Sequence, residues 1–169
     1  MIKAQDSKQY SRRRQERKSD EFDQKVIDIA RVTRVMAGGK RMSFRACVVV
    51  GDHKGRVGMG LRKGADVSVA INKAVRAAKK RLFKVQIIND TIPCRVYLKY
   101  GAAKVMLKPA PSGTGVIAGG AVRAVLELAG IKNVVSKMTG SKNKVNNVQA
   151  ALLALSSLKD IKQLKELRK

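Results

Sequence analysis

Glycines flanked by hydroxyl side chains come nearest to recognisable chemistry in this chain: Ser112-Gly113-Thr114-Gly115-Val116-Ile117-Ala118-Gly119-Gly120, preceded by Pro109 and Pro111. Glycines expose backbone N–H groups, and such a loop ahead of a helix suits phosphate. Gly113 to Ala118 also satisfies G-x-G-x-x-[G/A], the dinucleotide fingerprint. That fingerprint needs an acid about 20 residues further on for the ribose, and residues 128–159 contain none. No G-x-x-x-x-G-K-[ST] occurs either. Ser112-Gly113-Thr114-Gly115 is expected to turn its backbone to phosphate or to pack closely at a helix start.

Proline, a Ser/Gly-rich loop and a helix also occur in small-molecule kinases of the galactokinase and homoserine-kinase type. Their chemistry needs carboxylates to hold Mg²⁺ and orient the attacking hydroxyl. Between Asp66 and Asp160 the acids are Asp90 and Glu127 alone. Glu127 stands four residues after Arg123 on an apolar segment and reads as half of a surface pair. His53, the single histidine, falls in turn chemistry and reads as an exposed loop residue. Cys47 and Cys94 with one histidine fall short of a four-ligand zinc site. No catalytic residue, metal, cofactor or small-molecule substrate is expected. Reduced thiols fit a cytosol-like compartment.

Charge gives the stronger signal: 37 Lys and Arg stand against 12 Asp and Glu, a net of +25 on 169 residues. So large an imbalance opposes folding by self-repulsion unless a polyanion neutralises it. A nucleic-acid backbone fits, because each neutralised phosphate releases counterions. Hydrophobic residues at 44% are enough for real cores. Aromatics at 4%, with no Trp, argue against stacking bases on aromatic platforms. No apolar run is long enough to span a membrane, and the basic N-terminus lacks the apolar segment of a secretory signal.

The elements that must position these groups follow from pattern. Residues 1–21, with Arg12-Arg13-Arg14, read as a basic flexible extension. Strands are expected over 26–36 and 42–50, with Gly38-Gly39 breaking the chain between them. Gly51-Asp52-His53-Lys54-Gly55 is a hairpin turn before a third strand, Arg56 to Gly60. Asp66 is a helix cap, and the helix is expected to reach about Phe83. Val67, Ile71, Ala74, Ala78 and Leu82 form its apolar stripe, with Lys73, Arg76, Lys80 and Lys84 about opposite. Residues 85–92, 94–100 and 105–107 begin a second unit. A nearly buried helix, 121–129, is expected to stop at Gly130. A strand over 131–136, a basic loop over 137–146 and a helix capped by Asn146 or Asn147 follow. The order is β-β-β-α, then strands, helix, strand, helix: two α+β units.

Arg31-Val32-Thr33-Arg34-Val35, the stretch Phe44 to Gly60, Lys108 to Gly120, Arg123 to Ile131 and Gly140 to Asn146 together carry a family resemblance. The chain resembles small-subunit ribosomal protein five of the bacterial type over roughly 22–158. The resemblance implies a double-stranded-RNA-binding-like domain over 22–85 and, over 86–158, an α/β-sandwich domain with a left-handed βαβ crossover. Residues 159–169 are a charged tail. The crossover fold is shared with the kinases above.

A structural constituent of the small ribosomal subunit is implied, supporting assembly, translational accuracy and the mRNA entry region. Its partners would be small-subunit ribosomal RNA, mRNA near the entry channel and small-subunit proteins four and eight, in the cytoplasm. The Gly38-Gly39 loop would approach RNA near the head–body neck, where spectinomycin acts. The family usually carries Lys just before these glycines; here Ala37 stands there and Lys40 can supply the charge. A free-standing double-stranded-RNA-binding regulator is the alternative. Expected RNA contacts in the first unit are Arg31, Arg34, Gly38, Gly39, Lys40, Arg41 and Arg45, with Lys54, Arg56, Arg62, Lys63, Lys73, Arg76 and Lys80. In the second they are Lys104, Lys108, Ser112, Gly113, Thr114, Gly115, Gly119, Gly120, Lys137, Lys142 and Lys144.

Overall fold

β-Branched runs early in the chain become long strands. The computed structural model describes residues 21–158; the expected N-terminal extension before residue 21 and the tail over 159–169 lie outside them. β1 (Asp23–Met36), β2 (Gly39–Gly51), β3 (Arg56–Gly64) and the short β4 (Phe83–Lys84) form one antiparallel sheet in that order. Ala37-Gly38 closes the first hairpin, with Gly38 at φ +78.

α1 (Val67–Lys79) packs on one face of this sheet through a seam of very small residues. On the strand side stand Gly58, Gly60 and Gly64; on the helix side Ala70, Ala74 and Ala78 are fully buried. A Cβ at Gly60 would strike the Ala74 carbonyl, and one at Gly58 would lie 2.8 Å from the Ala78 carbonyl oxygen. Glycine here permits close backbone approach.

The helix stops at Lys79 rather than Phe83, because Phe83 and Lys84 return to pair with Val57 and Arg56. Its buried row is Ala70-Ala74-Ala78; Val67, Ile71 and Leu82 of the expected stripe are only half-buried. Lys84 accordingly leaves the cationic helix row for β4. Asp66 occupies the N-cap, but its side chain makes no cap hydrogen bond.

β5 (Val96–Tyr100) and β6 (Ala103–Pro109) form a hairpin in a second sheet. β7 (Val116–Ile117), α2 (Gly120–Ala129) and β8 (Val134–Thr139) make a βαβ crossover, with β7 parallel to β8. The order is β5-β6-β8-β7, and α2 and α3 (Lys144–Ser156) cover one face. Gly130 ends α2 in the left-handed region, φ +84, as expected.

Four features differ from expectation. Residues 85–92 hold only an isolated bridge, Ile88 to Thr91. β8 begins at Val134 because the amides of Lys132 and Asn133 both donate to the Asp90 carbonyl at 3.0 Å. It continues through Lys137 to Thr139, where a loop was expected, because Lys104 to Met106 provide a pairing edge. Asn143, not Asn146 or Asn147, caps α3, accepting from the Val145 amide at 3.0 Å. Asn147 is buried within that helix and donates to the Ser141 carbonyl.

The two sheets are joined. The β2–β3 turn caps the C-terminus of α2: the His53 and Gly55 amides donate to the Leu128 and Ala129 carbonyls, each at 3.0 Å. His53 Nδ1 donates to the Glu127 carbonyl at 2.8 Å, and Nε2 lies 2.9 Å from Asp23 Oδ2. The histidine expected as a bare loop residue is thus a joint. The Leu128 and Ala129 carbonyls have no intrahelical donor, while the Glu127 carbonyl also accepts from the Gly130 amide at 2.9 Å. A bulge at Ile27 keeps Lys25 and Asp28 on the same face of β1. Lys25 pairs with Glu127 at 3.1 Å and Asp28 with Lys144 at 3.2 Å. Glu127 therefore pairs across the two units, while Arg123 donates to the Val116 carbonyl at 3.2 Å.

Asp52 shapes that turn. Its side chain is 3% exposed and accepts from the Lys54 and Arg56 amides at 2.9 Å and from Arg56 Nε at 2.6 Å. Burial pushes this carboxyl up, but the hydrogen bonds from Arg56 and Lys54 and the Arg56 charge outweigh it. The net effect holds it below its ordinary 3.8. A depressed carboxyl contributes stability above its unfolded value that is lost as pH falls through the folded one. Asp52→Asn is expected to cost about 1–3 kcal/mol at neutral pH. The deficit should shrink below about pH 4, as urea midpoints at neutral and acid pH will show.

Candidate nucleic-acid interface

β1 and β2 run on past the end of β3. Pairing of β2 with β3 ends at Phe44–Gly64, so among the described residues positions 39–43 of β2 have β1 as their only partner. The result is a two-stranded ribbon with exposed Val35, Met36 and Met42 near its turn. Register assigns its faces, since directly paired residues share one. Phe44, Ala46, Val48 and Val50 pack toward α1. Arg31, opposite Phe44, and Lys40, opposite Val35, share that face. Arg34 and Arg41 are directly paired on the other face, as are Arg45 and Lys63 further along it. A groove lined by Val32, Thr33, Arg34, Arg41, Ser43 and Lys63 runs there.

Like charges placed directly opposite in a sheet repel. Among the described residues none of Arg34, Arg41, Arg45 and Lys63 has an ion-pair partner. The fold holds these cations together without neutralising them. Lys73 and Arg76 of α1 and Lys80 at its C-cap are exposed away from the alanine seam. A Cβ added at Gly38 or Gly39 would meet nothing within 4 Å, so the turn stands clear of the rest of the described residues.

Other expected contacts are already engaged. Arg56 is held by Asp52 and stacks over Phe22, its guanidinium carbon 5.0 Å from the ring centroid. Lys144 pairs with Asp28. Lys54 and Arg62 are exposed.

In the second unit the glycine loop differs from expectation. The Gly113 and Gly115 amides both donate to Asn133 Oδ1 at 3.1 Å, and the Thr114 amide donates to the Pro111 carbonyl. The three amides that were to face phosphate turn inward. β7 then separates the loop from α2, which starts at Gly120 behind Gly119 as N-cap. Gly113 and Gly115 meet nothing within 4 Å; their positive φ, +91 and +74, is what calls for glycine. Ser112 is exposed.

Gly120, Lys142 and Lys144 line one cleft of about 530 Å³ with Lys25 between the two units. Lys104, Lys108 and Lys137 share the face of the second sheet that no described helix covers. Among the described residues no group of three potential metal ligands occurs. No described helix is long and apolar enough to cross a membrane. Cys47 and Cys94 are free. Burial pushes the Cys47 thiol up to about 11, with Asp28 adding to this and Arg45 opposing it. Such a thiol is a core side chain, not a nucleophile.

Comparison with protein families places both units. Residues 22–86 match the N-terminal domain of ribosomal protein S5, and residues 98–168 match its C-terminal domain. Two domains of mixed α/β content, in this order and covering most of the chain, leave one reading: the chain belongs to the ribosomal protein S5 family, rRNA-binding proteins of the small ribosomal subunit.

Proposed function

We propose that the protein is a structural, non-catalytic constituent of the small subunit whose first domain docks on duplex ribosomal RNA. The contact surface is the ribbon face of Arg34, Arg41, Arg45 and Lys63, together with Lys73 and Arg76 of α1 and Lys80 at its C-cap. The observation that carries this is the two like-charged cross-strand couples that lack a carboxylate partner among the described residues. A phosphate backbone supplies the missing anions. Gly38-Gly39 leads the ribbon toward RNA, with Arg31 and Lys40 on its other face. From the second domain, Lys104, Lys108, Lys137 and Lys142 add contacts, and the 112–115 loop adds side chains rather than amides.

In this reading the protein supports subunit assembly, accuracy and the mRNA entry region in cytoplasmic ribosomes, beside small-subunit proteins four and eight. A lone RNA-binding regulator is disfavoured by cations distributed over both domains. Binding to a duplex fragment of small-subunit RNA should follow log K against log salt with a slope of about −4 or steeper, at about −0.9 per phosphate. The protein should also stay with small subunits sedimented through a salt wash. A flat salt dependence, or release from the subunits in low salt, would overturn the proposal.

A further inference from the structure

The second sheet has one face packed on α2 and α3 and one without a helix among the described residues. Register places Tyr97 and Lys99 of β5, Lys104, Met106 and Lys108 of β6, and Lys137 of β8 on this open face. Tyr97 is 58% exposed, directly opposite Met106, which in turn lies opposite Lys137. Lys99 and Lys104 are directly paired, another like-charged cross-strand couple. Arg95 joins the face through Nη2, 3.2 Å from Met106 Sδ. None of these cations has an ion-pair partner among the described residues.

A face with cations around an exposed aromatic ring, and no acid among the described residues, suits an anionic partner that carries flat groups. Phosphates meet the lysines while a splayed base stacks on the ring. Duplex RNA offers no unstacked base for Tyr97, and an acidic peptide has no group that needs its flat face. We infer that the open sheet face of the second domain binds an unpaired RNA strand, with one base stacked on Tyr97. The inference rests on the RNA-binding reading above but uses a different domain and a different form of RNA.

The test measures anisotropy of a labelled short oligouridylate and, separately, of a short mixed-sequence RNA duplex, on the full chain. Tyr97→Leu should weaken single-strand binding about five-fold or more, from the usual worth of one stacked base. Duplex binding should stay unchanged, and Tyr97→Phe should bind both probes like the parent. Lys99→Gln with Lys104→Gln should reduce the single-strand salt slope by about 0.7 per charge. Exposure of Tyr97 makes a folding defect easy to separate by circular dichroism. Full single-strand affinity in Tyr97→Leu, equal loss on both probes, or equal displacement of the strand by polyglutamate would each overturn the inference. Failure of the duplex reading shows elsewhere, as duplex affinity that ignores Arg34 and Arg41.

Discussion

Replacing Gly60 with valine is expected to destabilise the protein by about 3 kcal/mol or more, at the upper end of overpacking effects. The new Cβ would meet backbone, not a movable side chain: the Ala74 carbonyl, with the Ala74 carbon at 2.8 Å and the Ala78 amide nitrogen at 2.9 Å. Only displacement of α1 relieves that contact, and displacement opens the seam along Ala70, Ala74 and Ala78. Domains of this size hold only about 5–15 kcal/mol in total, so much of the margin would go. Gly39→Ala is the control, since nothing lies within 4 Å and its φ is ordinary. It should fall within about 0.5 kcal/mol of the parent in urea denaturation. Equal stability of Gly60→Val and Gly39→Ala would mean that the seam is not closely packed.

Changing Arg34, Arg41, Arg45 and Lys63 together to Gln should move two properties in opposite directions. Duplex RNA affinity should fall about 10³-fold, if each lost phosphate contact is worth roughly 1 kcal/mol. Stability of the free protein should rise by about 0.2–1 kcal/mol per pair, because two cross-strand repulsions disappear. Filter binding reads the first change and thermal melting the second. A solvated charge cluster with no RNA role would show the melting increase alone. Loss of affinity with a lowered melting temperature would point to damage in β2, not to lost phosphate contacts.

The strands over 26–36 and 42–50 were legible from β-branched content, and the nucleic-acid partner from charge. Glycine at the end of α2 was legible for the same local reason: a left-handed residue stops a helix. The seam was not. A pattern reading gives weight to Val67 and Ile71, yet facing glycines at 58, 60 and 64 leave room only for alanines, so the helix turns them inward. The Asn143 cap was hidden among neighbouring asparagines at 146 and 147. Glu127 looked paired with Arg123 because i,i+4 partners are visible in sequence. Its partner, Lys25, lies 102 residues away. The same blindness affected the glycine loop, where Asn133 takes two of its amides from 18 and 20 residues downstream. Lys99 and Tyr97 were passed over although strand alternation with Leu98 would have put both on one face.

The joint between the domains has a consequence for how the chain acquires its structure. The fully buried part of the core facing α1 is six small residues, Ala46, Val48, Val50, Ala70, Ala74 and Ala78. The other side of the same sheet sends Val49 and Val57 into the core built around α2 and α3. During synthesis the first sheet therefore emerges with one apolar side bare, and its cover arrives only with residues 120–129. The two family domains are separate in pattern but not in folding: neither is complete until the other is made, so a break in the linking segment around residue 90 would yield two unfinished halves.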